Sequence, residues 1–338
     1  MPDTEGPSAA AHAARPFSSL SWSAVDEMEM QVRRLGLPLQ LLQLEGGPLG
    51  GGAVVTRVGP LHLMRLRMDR RLHAWGPKPP GALTISLDLN PHQPTAPLRA
   101  HGHPLPSACL FGLDSRREVH LTVPASVELG VVVMPLELLS LWAGRLGGAD
   151  FDPQEALRAN VLRVDSDRWG DLRGYLRQIF ALAARDPSPL GTAAAQRLVL
   201  EDLLPLLVEA LIHGSNQGGR LQQPPNRIAI VKAAQQLLHD HSLEPITLAE
   251  LCRQIHVSRR SLLQGFREHL GIGPMAYIKL HRLHGLRREL LRADPAQVRI
   301  GALAAEWGFL NPGHFRSEEH TSELQSHSDL VCRLLLEK

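Results

Sequence analysis

The chain has 338 residues, of which 43% are apolar, 4% are aromatic and 21% are charged, and this is enough for about two domains with a sizeable core. The sequence contains no apolar run near the roughly 20 residues that a membrane-spanning helix needs, which excludes an integral membrane protein. Three widely separated cysteines form neither a disulfide framework nor a Cys-x-x-Cys metal pair, and we expect a cytoplasmic protein.

Charge is unevenly distributed along the chain. Residues 1–227 hold 22 basic and 22 acidic side chains, residues 228–315 hold eleven Lys and Arg against seven acidic residues, and residues 316–338 hold three against five. A neutral region followed by a basic one is typical of a regulatory part joined to a nucleic-acid-binding part. Charge alone leaves the alternative of a solvated basic face open.

The first half of the chain carries the signals of an all-β domain. Five alternating or apolar runs between Ala53 and Pro135 predict strands, and they are AVVTRV, LHLMRLRM, ALTISLDL, EVHLTVP and ELGVVVMP. LHLMRLRM places Leu61, Leu63, Arg65 and Arg67 on one face and His62, Met64, Leu66 and Met68 on the other, as in a wall of a sandwich or small barrel. We predict a cupin-like regulatory domain over residues 25–165, preceded by a disordered lead-in over residues 1–24.

From Leu136 onward the apolar residues recur every three or four positions, which predicts helices. We expect them near Leu136–Leu146, Asp167–Arg185 and Thr192–His213, with Pro205 kinking or interrupting the last one. The Leu-rich residues 166–213 are predicted to connect the two domains and to form a dimer interface, and packing against their own domain is the alternative. Residues 214–227 are polar, contain Gly and Pro, and predict a linker.

Two short helices joined by a tight turn are predicted after the linker. Thr247 and Glu250 form a capping box that opens the helix LAELCRQI. Ser258 provides a second N-cap directly after Ile255-His256-Val257, so a new helix begins there. This spacing is typical of a helix-turn-helix unit.

The second helix of this unit has an apolar and a polar face. Leu262, Leu263, Phe266 and Leu270 form the face predicted to pack on the first helix, and Arg260, Ser261, Gln264 and Arg267 lie on the opposite face or at its edge. Arg pairs with guanine O6 and N7, Gln with adenine N6 and N7, and Ser with bases or phosphates. We therefore predict that this helix reads the major groove, while a helix with merely solvated Arg residues remains the alternative. Gly265 is expected to thin the surface that faces DNA.

A longer string of residues extends this unit with fixed spacing. It consists of Ser258, Arg260, Leu262, Phe266, Gly271, Pro274, Tyr277, Arg282 and Trp307-Gly308-Phe309. Over about Ile228–Phe315 this string resembles the AraC/XylS-type transcriptional regulators. Within that family, VSRRSLLQGF, GIGP and RLHGLRREL are similar to the regulator of ethanolamine-utilisation operons.

The resemblance implies a multi-domain α+β protein in which the cupin-like all-β sensor domain is followed by an all-α domain of two helix-turn-helix units over residues 228–315. A helix around Met275–Leu291 would link the units, with Arg287 and Arg288 on phosphates or structural carboxylates rather than bases. In the second unit, Ile300–Glu306 would be the positioning helix and Asn311-Pro312 would begin the second recognition helix. The implied DNA-binding residues are Ser258, Arg259, Arg260, Ser261, Gln264, Arg267, Asn311, Gly313 and His314. The implied structural signature residues are Leu262, Phe266, Gly271, Pro274, Tyr277, Arg282, Gly308 and Phe309.

The resemblance also implies the partners of the chain. They are double-stranded promoter DNA, RNA polymerase, a small-molecule effector of unknown identity and a second copy of the chain in a homodimer. The family analogy favours an activator, and it implies no cofactor and no catalytic residue.

The C-terminal residues 316–338 break the pattern abruptly. RSEEHTSELQSH resembles a translated sequencing adapter rather than a second recognition helix, and we predict a non-native tail that truncates the second helix-turn-helix unit. Its glutamates would place negative charge where phosphate contacts are expected, so the tail opposes DNA binding.

A metal-dependent cupin enzyme with a helical appendage is the alternative function. His101-Gly102-His103 has the spacing of a His-x-His metal pair. No Glu follows at the expected distance and no second His motif appears, so we interpret this segment as a surface loop and predict no metal site. The glycine run of residues 46–52 lacks the Lys-Ser/Thr of a phosphate loop.

Overall fold

The computed structural model describes residues 17–90, 96–146, 152–216, 226–241, 246–294 and 299–309. These residues build a two-sheet β sandwich with helices on the outer face of each sheet. The larger sheet contains, in spatial order, β1 (Phe17–Trp22), β3 (Gly51–Val58), β4 (Leu61–Met68), β11 (Val127–Pro135), β6 (Ala82–Asp88), β9 (Cys109–Phe111) and β12 (Val161–Arg163). The smaller sheet contains β2 (Gln40–Gln43), β5 (Leu72–Gly76), β10 (Val119–Val123), β7 (Arg99–Ala100) and β8 (His103–Pro104). All of these strand pairs are antiparallel.

Both faces of the larger sheet are buried. On β4, Leu61 and Leu63 face the helices that cover this sheet, whereas Met64, Leu66 and Met68 face the smaller sheet. The strand pairs with β3 on one side and with β11 on the other. The alternation predicted for LHLMRLRM is therefore confirmed, and so are strands in the other four runs.

The helices α2 (Leu136–Leu146), α4 (Ser166–Arg185) and α5 (Ala193–Asn216) lie within one residue of their predicted starts, and they pack on the outer face of the larger sheet. Helix α5 continues through Pro205, so of the two predicted effects the interruption is wrong and the kink stays a prediction. Leu203, Leu204 and Leu207 around this proline are fully buried, and their packing compensates for the hydrogen bond that proline removes. A short helix α3 (Pro153–Leu157) completes this layer.

Several segments differ from the prediction. Residues 17–24 are not a disordered lead-in, because β1 pairs with β3 and helix α1 (Val25–Arg34) follows it directly. Residues 1–16 lie outside the described residues. The predicted linker over 214–227 is helical at both ends, since α5 continues to Asn216 and the next helix begins at Asn226.

The C-terminal helices form a fourth layer, on the outer face of the smaller sheet. They are α6 (Asn226–Asp240), α7 (Leu248–Gln254), α8 (Arg259–Leu270), α9 (Pro274–Arg292) and α10 (Ile300–Glu306). Leu42 and Leu44 at β2 and Trp75 on β5 belong to the same apolar core as α6, α7, α8 and α9. Their neighbours Leu41 and Ala74 point into the sandwich. The smaller sheet is therefore shared between the β sandwich and the helical region.

Within the described residues, no helix is both long enough and apolar enough to cross a membrane.

Candidate DNA-binding site

The first helix-turn-helix unit is built by local side-chain capping. The Thr247 hydroxyl accepts from the Glu250 backbone N–H at 3.2 Å, and the Glu250 carboxylate accepts from the Thr247 backbone N–H at 2.8 Å. The Thr247 hydroxyl also donates to this carboxylate, and the two hydrogen bonds from the Thr247 backbone N–H and hydroxyl lower the pKa of Glu250. Ser258 caps α8 by accepting from the Ser261 backbone N–H at 3.1 Å. The predicted capping box, second N-cap and tight turn are confirmed, and they satisfy backbone donors that helix starts leave without partners.

The buried face of α8 fixes its position against α6, α7 and α9. Leu262, Phe266 and Leu270 are fully buried, and the Phe266 ring lies edge-on to Tyr277 with ring centroids 5.3 Å apart. Gly265 is also buried. A Cβ added there would lie only 3.3 Å from the Arg227 carbonyl oxygen on α6. The expectation that Gly265 faces DNA is therefore wrong. It lets α6 and α8 approach each other closely.

The opposite face of α8 is polar and open. Ser258, Arg259, Arg260, Gln264 and Arg267 are exposed, and Ser261 is half-buried between the two faces. The Ser258 and Ser261 hydroxyls lie 2.9 Å apart and take part in the N-cap, so they have a structural role at the start of the helix. The three long side chains therefore form an exposed ridge, defined as Arg260, Gln264 and Arg267.

One member of this ridge is engaged within the protein. Gln264 Nε2 donates to the Glu268 carboxylate at 2.9 Å, and Glu268 also accepts from Arg227 at 2.8 Å. These groups are exposed, so a competing partner can replace the bond to Gln264 at small cost. Arg227 holds Glu268 on the α6 side, which leaves the Arg side chains of the ridge facing solvent.

Three residues of the structural signature, Gly271, Pro274 and Gly308, lie at the joints between helices. Gly271 ends α8 in the left-handed conformation with φ +69°, and Pro274 is the first residue of α9. Gly308 has φ +83° and lies near Arg282. Both glycines adopt a backbone conformation that other residues rarely reach.

A second, smaller core joins α9 to α10 and to the turn at Trp307. Leu283, Leu286 and Trp307 are its buried members, and Leu290, Leu303, Ala304 and Phe309 pack against them. Helix α10 begins at Ile300, as predicted, and Trp307 donates from its indole nitrogen to Glu289. Gly285 admits the Trp307 ring, which a Cβ at that position would overlap. Asn311, Gly313 and His314, together with the predicted tail, lie outside the described residues.

Sequence reasoning did not identify the partners that join the helical region to the β sandwich. Arg287 donates to Asp26 at 2.6 Å and Arg288 donates to Glu29 at 3.2 Å, and both carboxylates lie on α1. Of the two predicted kinds of partner, phosphates or structural carboxylates, these arginines contact carboxylates. Gln235 on α6 is 4% exposed and bonds to side chains of β5, β10 and α9. These partners lie 42 to 261 residues apart in the chain, and no local pattern marks them.

The His101-Gly102-His103 segment is not a surface loop. His101 is 7% exposed with φ +48°, and its Nδ1 lies 3.0 Å from Lys232 Nζ on α6. Burial and the charge of Lys232 lower the pKa of His101 to about 3. Among the described residues, no group of three or more His, Cys, Asp or Glu has the geometry to hold a metal ion.

Two sequence comparisons match the helical region. Residues 251–319 match a family described as a helix-turn-helix domain. The probable thc operon regulatory protein of Rhodococcus erythropolis is 42% identical over 100 residues, which cover 29% of this chain and 30% of that protein. The chain therefore matches less than a third of the length of this curated relative.

Two solved structures show partial similarity to the structure of this chain. The AraC-like transcriptional activator CuxR is 15% identical, covers 86% of this chain and 100% of its own, and gives a TM-score of 0.41. The unsaturated fatty acid bound form of wild-type ToxT from Vibrio cholerae is 11% identical, covers 80% of this chain and 94% of its own, and gives a TM-score of 0.28.

Proposed function

We propose that this chain, whose C-terminal helices belong to the AraC/XylS type of helix-turn-helix domain, is a DNA-binding transcriptional regulator. The observation that carries the proposal is the exposed ridge of Arg260, Gln264 and Arg267 on a helix that is capped at both ends and packed on its other face. A rigid helix with Arg and Gln on its open side fits the width of the major groove.

The proposal is tested by fluorescence anisotropy with the full chain and the DNA fragment upstream of its own gene, beside a scrambled fragment. Arg260→Ala and Gln264→Ala are each expected to weaken specific binding about 5- to 150-fold, which corresponds to about 1–3 kcal/mol for a bidentate base contact. Arg185→Ala removes an exposed arginine of α4 and serves as the matched control. Equal affinity of the wild-type chain for both fragments would contradict sequence-specific reading.

The second helix-turn-helix unit is proposed to read the next segment of the major groove. Helix α10 and the Trp307 turn are held against α9 by the small core around Leu283 and Leu286, which supports a second rigid unit. Asn311, Gly313 and His314 remain predicted contacts of that unit. Ser258 and Arg259 remain predicted contacts of the first unit, at the N-terminus of α8, where backbone N–H groups attract phosphates.

The β sandwich is proposed to be a cupin-like sensor for a small-molecule effector. A cavity of about 450 Å³ opens at the end of the sandwich beside the β3–β4 turn, and its walls include Leu37, Met64 and Val133, with Arg57 and His62 also lining it. This volume lies within the range of small-molecule sites, which are mostly apolar with a few polar groups. The effector itself is not identified by these residues.

We further propose that the chain acts as a homodimeric activator in the cytoplasm and contacts RNA polymerase. Leu141 on α2 and Leu198 on α5 are exposed large apolar residues, which supports an interface on this helical layer. The relation to regulators of ethanolamine-utilisation operons stays a prediction. Among the described residues no observation favours the metal-dependent enzyme, because the His101 ring is engaged by Lys232 beneath α6.

A further inference from the structure

The contact between the smaller sheet and the C-terminal helices contains a buried polar cluster. Gln235 lies at its centre, with its amide 2.9 Å from His73 Nε2, 2.9 Å from His120 Nε2 and 3.1 Å from the Tyr277 hydroxyl. Gln235, His73 and His120 are at most 5% exposed, and the His73 and His120 rings meet edge-on with centroids 4.6 Å apart. Four polar side chains from two regions of the chain thus meet almost entirely out of contact with water.

The same contact holds the end of the proposed DNA-reading helix. The last carbonyls of α8 have no partner within the helix, and here the Thr122 hydroxyl of β10 donates to the His269 carbonyl at 3.3 Å. The Arg71 guanidinium donates to the Leu270 carbonyl, where a cation also interacts favourably with the helix dipole. The β sandwich therefore determines where the C-terminal end of α8 lies.

The hydrogen-bond geometry of Gln235 allows only one of the two histidine rings to be protonated on the nitrogen that faces it. A glutamine amide has an oxygen that only accepts and an NH₂ group that only donates. The two histidines face these two ends, so in either orientation of the amide one ring must present a bare nitrogen to the NH₂ group. Lys232 imposes the same condition on His101, because an ammonium group only donates and lies 3.0 Å from Nδ1.

The charges around the cluster strengthen this condition. Lys232 on α6 and Lys78, Arg71 and Arg117 of the β sandwich face the histidines, together with His269 from α8, and Glu118 is the acidic group that opposes them. A second or third positive charge on the rings would therefore be placed among cations and away from water, which is unfavourable.

From this arrangement we infer that the contact is a proton-operated closed state: neutral histidines hold α6, α8 and α9 on the smaller sheet, and mild acid releases the helical region from the β sandwich. This closed state rests on the proposed function only where α8 is taken as the DNA-reading helix. The contact between the helical region and the β sandwich can be measured without DNA.

The pH range of release follows from the pKa values. Burial lowers the pKa of His120 to about 4 and that of His101 to about 3, and it lowers the pKa of His73 well below its usual value. On release these rings return to a pKa of about 6.5. The released state therefore binds more protons below about pH 6.5, and the closed state loses stability as the pH falls from there towards 4. Compared with a pH well above 6.5, the ratio of closed to released chains at pH 5.0 is about 30-fold lower through His101 or His120 alone, because the released ring is mostly protonated there and the buried ring is not.

Small-angle X-ray scattering of the full chain between pH 7.5 and 4.5 tests the inference, with circular dichroism to follow the helices and strands. The wild-type chain is expected to increase in radius of gyration below about pH 6 while its circular dichroism stays constant. The triple variant His73→Gln, His101→Asn and His120→Gln keeps polar groups of similar reach but cannot titrate, and it should stay compact at pH 5.0. Asn suits position 101 because it tolerates a positive φ. His213→Gln, on α5 away from the contact, should behave as the wild-type chain does.

A second variant keeps the test decisive if the triple variant does not fold at pH 7.5. Gln235→Glu has the same shape but places a carboxylate between His73 and His120, so that both rings can donate to it when protonated. It is expected to release at a lower pH than the wild-type chain. A wild-type chain that stays compact at pH 5.0 would overturn the inference, and so would release of either variant at the wild-type pH. These results stand whether or not the chain binds DNA, whereas loss of specific DNA binding with intact pH-dependent release would overturn only the proposed function.

Discussion

The substitution Gly285→Ala is expected to detach α10 and the Trp307 turn, the proposed second helix-turn-helix unit, from the rest of the helical region. Gly285 lies on α9 where the Trp307 ring crosses it, and an added methyl group would overlap the rigid ring. Trp307 must therefore leave its site, in which it is only 8% exposed. Loss of a buried aromatic side chain of this size costs about 3–5 kcal/mol.

This cost exceeds what the small core can offset. The core of the second unit contains only three buried residues among those described, and α10 has seven residues. A helix of that length is unstable in water without tertiary packing. The first unit should be unaffected, because its core on α6, α7 and α8 does not include Trp307.

Hydrogen exchange detected by mass spectrometry measures this effect directly. Peptides covering residues 300–309 should lose protection in Gly285→Ala, while peptides covering 247–270 keep the wild-type rate. Gly174→Ala on α4 is the matched control, since a Cβ there meets nothing within 4 Å, and it should stabilise the chain by up to about 1 kcal/mol.

A double-mutant cycle identifies the clash as the cause. If the added methyl group acts through the ring, Gly285→Ala should add no further loss of protection to Trp307→Ala, because the ring is already absent. Unchanged protection of residues 300–309 in Gly285→Ala would refute the reasoning. Losses that add in the double variant would show that Gly285 acts through another contact.

Three further outcomes are expected. Thr247→Ala removes the capping box of α7 and should lower the free energy of unfolding by about 1 kcal/mol in urea titrations; an unchanged midpoint would contradict this. Tyr277→Phe leaves a buried donor of Gln235 without its acceptor and should cost about 1–3 kcal/mol in the same assay, whereas a neutral effect would argue against that bond. Burial raises the pKa of the Cys109 thiol to about 12, so iodoacetamide at pH 8 should modify Cys252 faster than Cys109 in the folded chain, as mass spectrometry can show; equal rates would place Cys109 at the surface.

Elements with a strong local signal were predictable from the sequence. Helix α7 begins after the Thr247 cap and α8 after the Ser258 cap, because these side chains bond to backbone donors only two or three residues away. The strands of LHLMRLRM and ELGVVVMP have apolar residues on both faces, so their identity as strands did not depend on the rest of the fold.

Two strands with polar residues were missed. Strand β1 is rich in serine, has Trp22 as its one buried residue and lies at the sheet edge. Strand β5 carries the buried His73 on the face that contacts Gln235 of α6. Neither has the apolar alternation that marks a strand. The segment at His101, which the sequence predicts as a surface loop, is buried because α6 of the helical region covers it.

The sequence by itself determined the helix-turn-helix unit, its capping and the exposed ridge on α8, since all three depend on residues within a few turns of one helix. Only the tertiary structure decided that the smaller sheet carries the helical region, that Gln235 joins His73 to His120, and that Thr122 and Arg71 hold the end of α8. These contacts join residues more than 100 positions apart. Their strength comes from burial and hydrogen-bond geometry that exist only when the two regions meet.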